Sequence, residues 1–387
     1  LKGSSLMNLV RNSSDIVGVP KKEWRIIVRS IGNAGAGIIR AIRHVSPLSE
    51  AGVAALLYQA PSVLFDNLPR DVADQVSEML CSAGLDCKVE GKDEAFVPGD
   101  ADHEIALVIR DLSRMASVMQ LVMEVLGVSL EKAREILCSS PTVLVGNVSL
   151  NTVEAFRRRF TPLGVELDVS RPDTALFDLF LGECSLSDSH RIRQILEELH
   201  IPMLETPSGS ASQPLLAAGL SKAHADKTWE RLRPGNMPVR LINRDFERFD
   251  VRLEQARPGP EITEFLISTT SMPENIVPKV LKKTPIVTHQ NVPFAKMNEY
   301  LEAIVRLGGQ ASGHLLAFQT FSLCLEKVED PGTCSRILQA LAGLNPETAM
   351  KAVRSAHTVE GPLTHPQARW LQWELKQAGT EARMVLR

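Results

Sequence analysis

The stretch from Trp24 to Gly32 reads WRIIVRSIG, and four later stretches share its character: EIALVIRDL (104–112), LFDLFLGEC (176–184), RFDVRLEQA (248–256) and FSLCLEKVE (321–329). Each mixes apolar and polar positions and is rich in β-branched or aromatic residues, as a half-buried strand should be. Their first residues lie 80, 72, 72 and 73 positions apart. Such regular spacing predicts an internal repeat, which changes the reading of everything else in the chain.

Two further landmarks recur in phase. In the first, a helix ends, a glycine follows and a short strand closes the unit: MLCSAGLDCKVE (79–90), RRFTPLGVELDV (158–169), RLRPGNMPVRLI (231–242), AIVRLGGQASGHLL (303–316) and ELKQAGTEARMVLR (374–387). Gly84, Gly164, Gly235, Gly308 and Gly379 mark the position, where a left-handed residue ends a helix. The second landmark precedes the last helix of each unit: PSVLFDNLPR (61–70), PTVLVGNVSL (141–150), PLLAAGLSK (214–222), PIVTHQNVPF (285–294) and HTVEGPLTHP (357–366). Four begin with proline, which cannot continue a helix, and His357 replaces it in the fifth.

The three landmarks predict five modules, each strand–helix–helix–strand–helix–strand. The fold class is α+β: tandem small two-layer sandwiches, with antiparallel three-stranded sheets and helices on one face. The expected boundaries are a tail at 1–20, module one at 21–91, a linker at 92–103, and modules at 104–171, 174–246, 247–318 and 319–387. Val118, Leu121, Val122 and Val125 recur at helical spacing. Asn345, Pro346 and Glu347 have the order of a helix start. In module three the Pro/Ser/Gly-rich segment 201–213 stands where the second helix belongs and reads as a loop. The short later junctions predict that modules three to five form one cooperative rod, while the longer linker lets module one swing.

Length alone suggests two or three domains for 387 residues; the period replaces that with five small ones and makes a single large core with a deep active site a poor expectation. Net charge is −3 and aromatics are 5%, so the basic excess and stacking platforms of a nucleic-acid binder are missing. The six cysteines have no metal-site spacing and read as small apolar residues of a reducing cytoplasm. The longest apolar run, Val118 to Leu130, is interrupted by Gln120, Glu124 and Ser129, so no membrane span is expected. Residues 1–20 lack the sustained apolar core of a signal peptide.

Several stretches carry a resemblance. IIRAIR (38–43), GVSLEKAREILCSSP (127–141), VADQVSEMLCSAGLDCKVE (72–90) and QARWLQWELKQAGTEARMVLR (367–387) follow, in order, the pattern of the C-terminal domain of the bacterial large-subunit ribosomal stalk protein. The chain resembles five tandem copies of that domain, without the family's dimerisation segment or Ala/Gly-rich hinge. Module one has Ser-Pro-Leu-Ser (46–49) where the family has Gly-Leu-Gly-Leu, and Glu131 and Lys132 reverse the family's charge order. The resemblance implies recognition of a protein partner, in the family a translational GTPase, through basic residues on the first two helices. The matching positions are Arg40 and Arg43, Lys132 and Arg134, Lys279, Lys282 and Lys283, and Lys351 and Arg354. The plain alternative for each is a solvated helix face.

Other features carry less. IGNAGAG (31–37) lacks the lysine and serine of a phosphate loop and reads as a tight strand-to-helix turn. Arg157, Arg158 and Arg159 form a basic run that suits phosphate or, more plainly, water. His357 and His365 flank a turn without metal spacing. Of Trp370 and Trp373, one is expected in the core and the other at a surface or module contact. No nucleophile motif is present. The expectation is a non-enzymatic cytoplasmic scaffold or adaptor with no catalytic residue, cofactor or metal, binding protein rather than nucleic acid or membrane, its oligomeric state open. The alternatives are an RNA- or ribosome-associated protein, a peptide binder like a protease adaptor, and an enzyme assembled between modules.

Overall fold

The computed structural model describes residues 23–182, 184–204, 215–270, 272–354 and 358–386. Module one runs β1 (Trp24–Ser30), α1 (Gly37–Arg43), α2 (Glu50–Tyr58), β2 (Ser62–Leu68), α3 (Arg70–Ser82) and β3 (Asp86–Gly91). Module two repeats the order with β4 (His103–Ile109), α4 (Met115–Leu126), α5 (Leu130–Leu137), β5 (Val143–Val148), α6 (Leu150–Phe160) and β6 (Val165–Ser170). Module three has β7 (Leu176–Leu181), α7 (Leu186–Glu198), β8 (Leu215–Ser221), α8 (Lys222–Leu232) and β9 (Val239–Asn243). Module four has β10 (Arg248–Gln255), α9 (Pro260–Thr270), α10 (Val277–Leu281), β11 (Ile286–Pro293), α11 (Phe294–Arg306) and β12 (Gln310–Leu315). Module five has β13 (Thr320–Lys327), α12 (Pro331–Ala342), α13 (Pro346–Arg354), β14 (Thr358–Thr364), α14 (His365–Gln377) and β15 (Glu381–Leu386).

Each sheet is three-stranded and antiparallel, with the module's first strand in the centre, as in the order β2-β1-β3. In module three, 201–204 is irregular and runs beside β8 through a Leu204 N–H to Leu216 carbonyl bond of 2.8 Å. The rest of the expected loop, 205–213, lies outside the described residues, as does His357.

Module four shows why the pattern folds. Phe249, Val251 and Leu253 alternate on β10 and join Ile262, Leu266, Val277, Leu281, Met297 and Ile304 in one apolar core. The helices therefore cover one face of the sheet, as period-two and period-3.6 patterning require. Caps set the helix starts: Ser129, Ser149 and Ser221 each accept a backbone N–H, and Asn345 Oδ1 accepts the Thr348 N–H at 2.8 Å. The left-handed residue after the last helix is Gly84, Gly164, Gly308 or Gly379, as expected. In module three it is Asn236 rather than Gly235: Gly235 closes the 3-10 turn Arg233–Gly235, the place that Leu163 holds in module two, and Asn236 stands where module two has Gly164. Asparagine tolerates that conformation better than most side chains.

The chain divides into two compact units, one ending at Arg171 and the other starting at Pro172. The expectation that module one swings on its linker is not met. The linker is packed down: the Gly99 N–H donates to the Pro61 carbonyl at 2.8 Å, and Arg25 Nη2 donates to the Glu94 carbonyl at 2.6 Å. A Cβ on Gly99 would sit 2.1 Å from the Gln59 carbonyl oxygen, so the backbone approach requires glycine. Module two then closes on module one. α6 buries Thr152, Val153, Ala155, Phe156 and Phe160, so it is covered on more than one side and packs on β1 as well as on its own β4.

Candidate functional site

The second helix of a module is aligned by two buried positions: Val53 and Leu57 in α2, Ala133 and Leu137 in α5, Val277 and Leu281 in α10, and Ala349 and Val353 in α13. Counting from them, Lys279 and Lys351 share one position, and Lys282 and Arg354 share another three residues on. All four are exposed. Two residues three apart lie on one face of a helix, so modules four and five each present a pair of cations at the same place. Lys283 is exposed beside Lys282.

The other basic positions behave differently. Arg40 and Arg43 are exposed on the short helix α1, without an ion pair among the described residues. Lys132 is paired with Glu135 at 2.8 Å. Arg134 is half-buried, with its Nε buried and lacking a hydrogen-bond partner, and its charge acts on Cys138, whose thiol burial pushes up to about 11. Neither Lys132 nor Arg134 falls at the shared positions, where module two has Glu135 and Cys138. The structure thus brings Lys279, Lys282, Lys351 and Arg354 into one pattern and leaves Lys132 and Arg134 outside it.

Module one shows what else that face can do. The position of Lys282 and Arg354 is held there by Tyr58, one of two tyrosines in the chain. Tyr58 Oη donates to the Val125 carbonyl at 2.9 Å, and its ring meets Phe156 edge-on at 6.1 Å. The Tyr58 carbonyl accepts the Ser149 N–H at 2.9 Å and Thr152 Oγ1 at 2.8 Å, and Ser149 Oγ donates to the Ala60 carbonyl. Burial raises the Tyr58 phenol, with Arg159 opposing. The equivalent face of module one is therefore an interface already filled by module two.

IGNAGAG (31–37) belongs to the same contact. The Ala36 N–H donates to the Glu124 carbonyl at 2.8 Å, and Arg159, its side chain 9% exposed, donates to the Ala34 carbonyl at 3.0 Å and pairs with Glu124 at 2.7 Å. The small residues admit module two. Of the basic run, Arg157 is paired with Glu154 and Arg158 is exposed. Sequence reasoning missed Tyr58, Ser149, Thr152 and Arg159 as contact residues. The available signal was α6 itself, apolar on too many sides for a surface helix.

Unit two holds a different polar cluster at the junction of modules three and four. Asp178, 3% exposed, accepts Arg244 Nη2 at 2.5 Å, Arg244 Nε at 3.1 Å and the Gly219 N–H at 2.7 Å. Glu247, 1% exposed, faces Asp178, and its Oε1 has no hydrogen-bond partner. Burial first, and then the Asp178 charge, push the Glu247 carboxyl up to about 8, against the pull of Arg244. Two carboxyls and one guanidinium are electrically balanced when Glu247 holds a proton. In module four, His289 is 5% exposed, stacks on Tyr300 at 4.1 Å and contacts Thr269 and Thr288 through its two ring nitrogens; burial lowers it to about 4.

Trp370 is the core tryptophan that the sequence suggested, and Trp373 is half-buried. His365 lies against Phe321, and burial lowers it to about 4. No group of three or more metal-ligating side chains occurs among the described residues. No described helix is long and apolar enough to cross a membrane. No family model, no curated protein and no solved structure matches the chain.

Proposed function

We propose that the chain is a non-enzymatic scaffold that binds an acidic protein partner through the second helices of modules four and five. The observation that carries this reading is the repeated cation pair, Lys279 with Lys282 and Lys351 with Arg354, exposed at one register in two copies of the module. Arg40 and Arg43 add a third basic face in module one. Exposed cations steer an acidic partner and raise its association rate. Two similar sites in one chain also raise the effective concentration of a second contact once the first is made. The resemblance to the ribosomal stalk domain supports a translational GTPase as the partner class.

The test is capture of purified translational GTPases by the full chain and by a variant carrying Lys279→Glu, Lys282→Glu, Lys351→Glu and Arg354→Glu. Binding that weakens at least tenfold, with a flatter dependence on salt, supports the reading. Unchanged binding removes these positions from the interface. A salt-dependent gel shift with RNA, abolished by the same variant, favours ribosome association instead.

A further inference from the structure

Cys81 is the penultimate residue of α3 and Cys87 is the second residue of β3. The turn between them is closed by Gly84, whose N–H donates to the Cys81 carbonyl at 2.9 Å. Cys81 Sγ lies 4.0 Å from the Cys87 carbonyl oxygen, which sets the two residues against each other across the turn.

The fold does not need sulphur at either place. Counting three residues back and three forward from the left-handed residue, the corresponding pairs are Thr161 and Leu167, Arg233 and Val239, Val305 and Ala311, and Lys376 and Ala382. Only module one places a thiol on both sides of this helix-to-strand turn. Cys81 is exposed and Cys87 half-buried, so one thiol meets solvent and the other waits behind it.

We propose that Cys81 and Cys87 are a reversible redox-modification site, in which a hydroperoxide oxidises Cys81 and Cys87 resolves the product as an intramodule disulfide. The Cys81 thiolate attacks the terminal peroxide oxygen; the S–O bond forms, the O–O bond breaks, and the alcohol, or water from hydrogen peroxide, leaves with the Cys81 proton. The Cys87 sulphur then attacks the Cys81 sulphur; the S–S bond forms, the S–O bond breaks, and hydroxide departs with the Cys87 proton as water. Two thiols are oxidised and one peroxide is reduced. The order of the steps follows from access and from burial, which pushes the Cys87 thiol up to about 12 and leaves it a poor first nucleophile. The bridge pins the end of α3, whose Gln75, Glu78, Met79 and Ser82 form one wall of an open groove of about 830 Å³ against α1.

Both cysteines lie between Arg70 and Lys88, so trypsin releases them in one peptide. The full chain is treated with hydrogen peroxide, alkylated and digested. The peptide is expected to lose two hydrogens, to resist alkylation, and to regain two alkylatable thiols after dithiothreitol. In Cys87→Ser, and in Cys87→Ala with the residue that module five carries at this place, Cys81 is expected to persist as a sulfenic acid trapped by dimedone several-fold more than in the wild type. Equal dimedone labelling of wild type and both variants overturns the proposal. So does a peptide that keeps both thiols free while other cysteines of the same chain oxidise.

Discussion

Asn147 has φ +56 and lies two residues before the cap of α6. Asn67, Gly219 and Asn291 hold the same place in modules one, three and four, also with positive φ. The ladder shows why. Between His103 and Ile105 the central strand advances two residues while β5 advances three, from Val148 to Val145. The extra residue is a β-bulge that turns the strand toward its helix. Module five spends one residue more, four between Leu363 and Val359, with Gly361 inside. In modules three and four the bulge N–H is taken by a carboxylate on the central strand, Asp178 or Asp250. Asn147→Ala is expected to destabilise unit one by about 1 kcal/mol and Asn147→Gly by close to nothing. Urea midpoints of the two variants decide it; equal losses would mean that the side chain matters rather than the backbone.

At the scale of elements, the joints between modules reveal what the helices cannot. From the last paired residue of one sheet to the first of the next, Asn243 to Arg248 and Leu315 to Thr320 are five steps each, while Gly91 to His103 is twelve. The short joint before module four buries Glu247 beside Asp178. Its carboxyl sits above its ordinary value in the folded chain, so the folded state holds a proton that the unfolded state releases first. The stabilisation from that proton is complete below about pH 4.5, declines as pH rises, and is gone above about 8. Glu247→Gln is expected to flatten this decline and to be the more stable protein at pH 8.5, by a few kcal/mol at most. A wild-type stability that does not fall between pH 5 and 8 contradicts the assignment. His289 acts from the other side: held low by burial, it costs stability as pH falls from about 6.5 toward 4.

At the scale of the molecule, the number and order of modules were legible because strands, caps and left-handed turns are written locally in the sequence. The packing between modules was not, because it depends on which half-apolar face meets which. A linker of Gly, Asp and Lys reads as mobile until Arg25 and the carbonyl of Pro61 are known to hold it. The candidate site was legible as residue types only. Lys132 and Lys279 look alike in sequence, and the buried pair on each helix separates them. A fragment spanning 21–171 is expected to unfold in one transition, and a fragment spanning 21–91 to be at least 2 kcal/mol less stable, since it exposes Tyr58 and the sheet face under α6. Two separate transitions in the longer fragment would show that the modules fold independently. In limited proteolysis the linker should survive well past the first cuts elsewhere.

The central position of each module's first strand has a consequence for synthesis. A ribosome delivers β1 first, yet both of its hydrogen-bonding edges stay open until β2 and then β3 have emerged, and its second face stays wet until α6 has. Nothing in module one can be completed in the order in which it is made. The nascent chain carries the apolar ribbon Ile26 to Val28 with open edges until Gly91 has emerged, and with one face still wet until the helix Leu150–Phe160 has, and unpaired edges and exposed apolar faces invite mispairing. Five near-identical topologies in one chain multiply the wrong partners available to that ribbon. The low similarity between the module sequences is then a safeguard, keeping each early strand matched to its own late ones.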